Sequence, residues 1–355
     1  MIINKHNIDT CSSLPIGSDV NGNLLKIRID KLTIVSSFIE KEEKSETYKK
    51  LKKMRKRNHS KYYITHIQNK EDMPYRTALL IKEKNHFSPL LLRIDYSPIN
   101  RNTGGIRLDF YPQYLSAKKN DQLLSWLNMQ LGEIFYHLLT RAWVTRIDIA
   151  LDLYDRYLDN YIWELQRSGK PRYFNEGNGL PGIQLGSNRS VLHVLCYEKI
   201  DAFRNKNVSH KNKNKFLKIK RNEHKNFLRI EARYRPNSKP TSKHGSPLML
   251  RNILEMENPF KRLQFYSNEL KSELLIKKHI ISIPSEPSVF ALKCRVKKEN
   301  SCSRIPGNVQ RIINEHKISI FNKNIIWDNW PIYTKQLGGI FTIAYSYKDR
   351  DENLC

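Results

Sequence analysis

The segment WVTRIDIALDLYD, residues 143–155, decides how the rest of the chain is read. Its alternation is strict. Ile147, Ile149, Leu151 and Leu153 share one parity, and Arg146, Asp148, Ala150 and Asp152 share the other. Side chains on a strand point to opposite faces in turn, so this strand has one apolar face and one bearing an arginine and two carboxylates. A strand of a doubly wound sheet, covered by helices on both sides, would instead run continuously apolar. The segment therefore predicts an α+β fold with a mostly antiparallel central sheet and helices packed on one face.

The flanking sequence repeats the pattern. Immediately upstream, DQLLSWLNMQLGEIFYHLLTR (121–141) carries Leu123, Leu127, Leu131, Ile134, Phe135 and Leu138 at three- and four-residue steps, a helical period. Further strands are expected at KIRIDKLTIV (26–35), TALLIKEK, LLLRIDYSP, IRLDFY (106–111), VLHVLCYEK (191–199) and FLRIEARYR (227–235). A charged helix is expected over 40–61 and a short helix over 159–168. Residues 1–24 read as an irregular arm, and PNSKPTSKHGSP (236–247) as a linker with almost nothing to bury. These boundaries divide the chain into the arm, a principal domain at 25–236 and a smaller C-terminal unit at 248–355.

Charge narrows the partner. Among 355 residues, 62 Lys and Arg stand against 35 Asp and Glu, a net +27. An excess of this size favours a polyanion, because focused positive potential speeds encounter with phosphates and supplies non-specific affinity. The five cysteines, Cys11, Cys196, Cys294, Cys302 and Cys355, form no C-x-x-C pair, which argues against both a zinc knuckle and a disulfide scaffold. No apolar run approaches the ~20 residues that span a bilayer. A cytoplasmic protein with free thiols is expected, with no membrane partner.

Four strands place polar groups on one face: Arg107, Asp109 and Tyr111; Arg146, Asp148 and Asp152; Tyr197 and Lys199; Arg229, Glu231 and Arg233. Each strand alone fits a solvated sheet face. Together, in one sheet, they would gather carboxylates for a hard cation such as Mg²⁺ or Mn²⁺. They would add a tyrosine able to attack a phosphate, and arginines to hold that phosphate bidentately.

The ordered series RIDKLTIV, IRLDFYP, VTRIDIALDLYD, IQLGSNRSVLHVLCYEK, LRIEARYR and NPFKRLQFY resembles the replication initiation factor family of the Rep_trans type. That family includes rolling-circle plasmid initiators and related relaxases of conjugative elements, and filamentous-phage nickases look similar in the same places. The resemblance spans about 26–270 and implies a nickase that keeps a 5′ phosphate on a tyrosine and leaves a 3′ hydroxyl. It places Tyr197 and Lys199 in the catalytic role, with Asp148, Glu231 and, more loosely, Asp109 as metal ligands. Arg146, Arg229, Arg233 and Arg107 become phosphate contacts. Tyr154 and Tyr157 are fallback nucleophiles, and Tyr234 falls on the face opposite Glu231. The implied substrate is an origin hairpin or single strand, and 248–355 would contact duplex DNA or a host helicase. A non-catalytic origin-binding initiator and a conjugative relaxase are the alternatives, and no motif speaks to oligomeric state.

Overall fold

The computed structural model describes residues 14–84, 88–100, 103–174, 181–201, 206–207, 226–236 and 247–336. Fifteen strands and eight helices occur in them. The strands are β1 (Leu14–Ser18), β2 (Leu24–Ser36), β3 (Tyr62–Gln68), β4 (Tyr75–Glu83), β5 (Leu92–Pro98), β6 (Ile106–Phe110), β7 (Trp143–Tyr154), β8 (Tyr161–Leu165), β9 (Arg172–Phe174), β10 (Gly182–Leu185), β11 (Leu192–Asp201), β12 (Lys206–Asn207), β13 (Asn226–Tyr234), β14 (Leu263–Ser267) and β15 (Lys317–Ile318). The helices are α1 (Lys41–Lys56), α2 (Ala117–Leu131), α3 (Ile134–Thr140), α4 (Glu269–Ile276), α5 (Val289–Glu299), α6 (Gly307–Glu315), α7 (Lys323–Asp328) and α8 (Trp330–Gln336).

Twelve strands form one sheet in the order β3-β4-β5-β6-β2-β7-β13-β11-β10-β9, with β1 beside β2 and β12 beside β11. Every pairing in it is antiparallel. The expected α+β class with an antiparallel central sheet is what the chain adopts. β7 lies at its middle, and the alternation of 143–155 works as read. Ile147, Ile149, Leu151 and Leu153 join Ile230 of β13, Ile27 of β2 and the buried sides of α1–α3 in one core. The opposite face keeps the polar side chains.

Two local expectations change. The helix expected over 121–141 is two helices, because Gly132 sits at φ +66°, outside helical backbone, and ends α2. The helix expected over 159–168 is a 3₁₀ turn at Leu158–Asn160 followed by β8. There Tyr161, Ile162 and Trp163 are bulky and β-prone, and they pair with β14.

That pairing also bears on the boundary expected at 236–247, of which 237–246 lies outside the described residues. Beyond it the chain does not stand apart. β14 hydrogen-bonds β8, and Ile253, Phe260, Phe265, Phe321 and Trp330 enter the same core as the central sheet. A second, smaller core joins Ile162 of β8 to α4, α5 and α6. Part of the expected N-terminal arm is also structured, since β1 pairs with β2.

Candidate active site on the polar sheet face

Register puts the expected residues in rows across the sheet. Arg229 of β13 lies opposite Asp152 of β7 and Tyr197 of β11, while Arg233 lies opposite Asp148 and His193. Glu231 falls between these rows, opposite Ala150. Lys31 of β2 continues the Asp148 row, and Asp109 of β6 lies across from Thr33 on the far side of β2. The polar face resolves into three groups.

The first contains the tyrosine. The Tyr197 hydroxyl donates to Glu231 Oε2 at 3.0 Å, and Arg233 Nε donates to Glu231 Oε1 at 2.6 Å. One row away, Arg146 grips Asp148 with Nε at 2.7 Å and a second nitrogen at 2.5 Å. Desolvation pushes Tyr197 well above the usual phenol range, and the negative charges of Glu231 and Asp30 add to the effect. Asp148 is likewise raised by burial, with the Glu231 charge contributing and Arg146 opposing. Tyr197 is partly exposed, and Arg233 and Arg146 keep 27% and 25% of their side chains open. Gly182 of β10 faces Tyr197 across the ladder. A Cβ there would strike the Phe174 ring at 2.3 Å and meet Tyr197 Cβ at 3.0 Å, so the glycine lets an aromatic ring lie against the tyrosine. Lys199 follows in the same strand, and its side chain lies outside what the structure describes.

The second group is sealed. Arg229 is 0% exposed and spends its guanidinium on two carboxylates: Asp152 at 2.6 and 2.8 Å and Asp30 at 3.0 Å. Arg28 lies 2.8 Å from Asp30. A bulge in β2 between Ile29 and Lys31 turns both Asp30 and Lys31 toward this face. Arg229, expected to hold a DNA phosphate, is a buried anchor between strands and is not accessible to one.

The third group lies on the other side of β2. Asp109 accepts from Lys31 at 3.0 Å, and Lys31 also reaches the Tyr111 hydroxyl at 3.3 Å. Asp95, fully buried, holds Arg107 at 2.8 and 3.0 Å together with Arg93, and the Arg107 guanidinium lies 5.4 Å from the Tyr75 ring centroid. Arg107, expected at a phosphate, therefore serves the β4–β5–β6 packing.

The three-carboxylate metal set does not assemble. Among the described residues, no three of His, Cys, Asp and Glu come together as ligands, and Asp109 is held by Lys31. Asp148 and Glu231 remain as an electrostatically coupled pair. Both are already engaged, Asp148 by Arg146 and Glu231 by Arg233 and Tyr197, so a Mg²⁺ held by these two carboxylates and substrate phosphate oxygens would share them with those side chains.

One neighbour carries little weight in the sequence, where it is a lone histidine. His193 is 0% exposed, neither ring nitrogen has a hydrogen-bond partner among the described residues, and burial with Arg235, Arg233 and Arg146 nearby lowers its pKa to about 4. It is neutral at pH 7. The same alternation that places Tyr197 on this face would have placed His193 there too. Of the fallback nucleophiles, Tyr154 is 1% exposed and belongs to the core.

No protein-family model matches the chain, and no curated protein sequence matches it. Among solved structures it is similar to a rolling circle replication initiator protein from Geobacillus stearothermophilus, with a TM-score of 0.33 and 17% identity over 60% of this chain and 75% of that one.

Proposed function

We propose that this chain starts rolling-circle replication by cutting and rejoining one DNA strand, with Tyr197 as nucleophile. The observation that carries the reading is the Tyr197 hydroxyl donating to Glu231 on a partly open sheet face, flanked by Asp148, Arg146 and Arg233. A phenol pushed above its usual range is a weak nucleophile at neutral pH, so its proton must leave as the new bond forms. Glu231 Oε2, 3.0 Å away, is placed to take it.

The Tyr197 oxygen attacks phosphorus as its proton passes to Glu231, the P–O3′ bond breaks, and the departing 3′ oxygen takes a proton from water, leaving a 5′ phosphotyrosine. Reversal by a 3′ hydroxyl reseals the strand. Arg146 and Arg233 each use part of the guanidinium on a carboxylate, and the remaining donors can grip non-bridging phosphate oxygens. A Mg²⁺ or Mn²⁺ ion bound by Asp148 and Glu231 would supply charge neutralisation at the scissile phosphate.

The direct test incubates the protein with an end-labelled hairpin oligonucleotide and Mn²⁺ and resolves the products on a denaturing gel. A band shifted by covalent attachment, lost in Tyr197→Phe, is the expected result. An adduct that persists unchanged in Tyr197→Phe removes Tyr197 from the role. Absence of any adduct while the protein still binds origin duplex favours a non-catalytic initiator.

A further inference from the structure

The residues from β14 to β15 build a second unit whose outer surface the nicking chemistry does not use. β14 leads into α4, then α5, a turn over 300–306, α6, and β15, which returns to pair with β14. Leu270, Leu292, Val296, Val309, Ile312 and Ile313 lie in the small core that also takes in Ile162 of β8. The order is helix, helix, turn, helix, strand. In the DNA-binding helix-turn-helix the second helix lies in the major groove with its outer face toward the bases.

The elements are firmly set. Ser288 caps α5 by accepting from the Ala291 amide at 3.1 Å. The turn is tied by Cys302 N–H to Lys297 O at 3.0 Å and by the Asn300 side chain to His279 O at 2.8 Å. At its far end α6 is held by His316, 3.1 Å from Glu273 of α4, and by the Ser267 amide donating to His316 O.

The outward face of α6 is then informative. Val309, Ile312 and Ile313 point inward, and Asn308, Arg311 and Asn314 are exposed on the other side, Asn308 touching His279 at 3.5 Å and Asn314 accepting from Gln310 at 3.0 Å in exposed bonds. No large apolar side chain of α6 is exposed, so this is not an apolar docking face for another protein. Asn and Arg are the side chains that read adenine and guanine edges bidentately. Arg311 is 75% exposed, and its ion pair with Glu315 at 3.5 Å is the kind that solvent leaves weak. Charge agrees: residues 288–318 contain seven Lys and Arg against two Glu, with Lys297 and Lys298 exposed at the end of α5 and Arg304 and Lys317 exposed on the segments before and after α6. Basic flanks position a helix on the phosphates while its face reads the bases.

We infer that α6 is a recognition helix that enters the major groove of duplex DNA and reads sequence through Asn308, Arg311 and Asn314. The inference goes beyond the nicking reading and stands whether or not Tyr197 cuts.

The test uses the full chain and a pool of randomised duplex oligonucleotides, with bound duplexes recovered and sequenced. A shared motif should emerge. The triple variant Asn308→Ala, Arg311→Ala, Asn314→Ala should bind that motif about tenfold to a hundredfold more weakly while binding unselected duplex as before. Arg311→Ala alone, which removes one exposed side chain, should relax preference at a single base position and guards against misfolding of the triple variant. Tyr197→Phe should keep the motif, and the α6 variants should keep covalent attachment to a single-stranded substrate, so the two readings fail separately. Recovery of no motif, or equal affinity of wild type and the α6 variants for it, would overturn the inference.

Discussion

Arg229→Met separates two roles that share one position. Its guanidinium makes three bonds to Asp152 and Asp30, and its side chain is fully buried. Methionine keeps similar bulk and removes the charge. Asp30 would lose one bond and retain Arg28 at 2.8 Å, whereas Asp152 would lose two, with Arg28 3.8 Å away. The loss therefore falls mainly on one buried anion. Breaking a buried ion pair from one side costs about 3–5 kcal/mol, a large share of the ~5–15 kcal/mol that holds most domains folded. At roughly 2 °C per kcal/mol for a chain of this size, melting should fall by about 6–10 °C. Adding Asp152→Asn should recover part of that, because the carboxylate that loses two bonds from Arg229 no longer carries a charge. Thermal melting followed by circular dichroism reads both variants. If Arg229→Met melts like wild type but binds DNA more weakly, Arg229 is a phosphate contact and the account of the sealed group is wrong.

Glu231→Gln and Asp148→Asn are each expected to lower the nicking rate by about a hundredfold or more, as loss of a proton acceptor or charge-coordinating group does, with duplex binding by gel shift retained. Equal loss of both activities would mark the two residues as structural. His193 links stability to pH. Its pKa of about 4 in the fold lies below the ordinary 6.5, so the unfolded chain takes up its proton first and stability from this residue falls as pH drops from 6.5 to 4. At 1.36 kcal/mol per unit the span is worth at most about 3 kcal/mol. His193→Phe, which also removes two unpartnered nitrogens, should melt no lower than wild type at pH 7 and lose less stability at pH 4.5; a parallel acid profile would refute this. Finally, a chain truncated after residue 247 should fail to give a cooperative melt, because Ile253, Phe265 and Trp330 share the principal core. A well-folded truncation would restore the separate C-terminal unit.

How much of this could be read in advance follows from the range of each interaction. Period-two alternation is local, so β7, β11 and β13 and the face shared by Asp148, Tyr197 and Glu231 were legible in the sequence. Alternation cannot tell how deeply each position on one face is covered. Arg229 and Arg233 have the same parity, yet one is sealed between two aspartates and the other is partly open. The deciding partner, Asp30, reaches the face through a bulge that the regular pattern of 26–35 conceals. Arg107 was misplaced for a related reason, since its claimant Asp95 sits on a neighbouring strand. The union of β8 with β14 joins residues about a hundred apart, and a five-residue apolar run fits strand or helix equally well until its partner is known. The linker composition at 236–247 was real, but composition is silent on where the chain goes afterwards.

The most direct measurement maps the attached residue. After reaction with a labelled hairpin oligonucleotide and Mn²⁺, the protein is digested with protease and nuclease and its peptides are sequenced by mass spectrometry. A nucleotide phosphate on Tyr197, within LHVLCYEK, is the expected finding. The same mass addition on Tyr157, Tyr234 or any other tyrosine, with Tyr197 unmodified, would contradict the central claim.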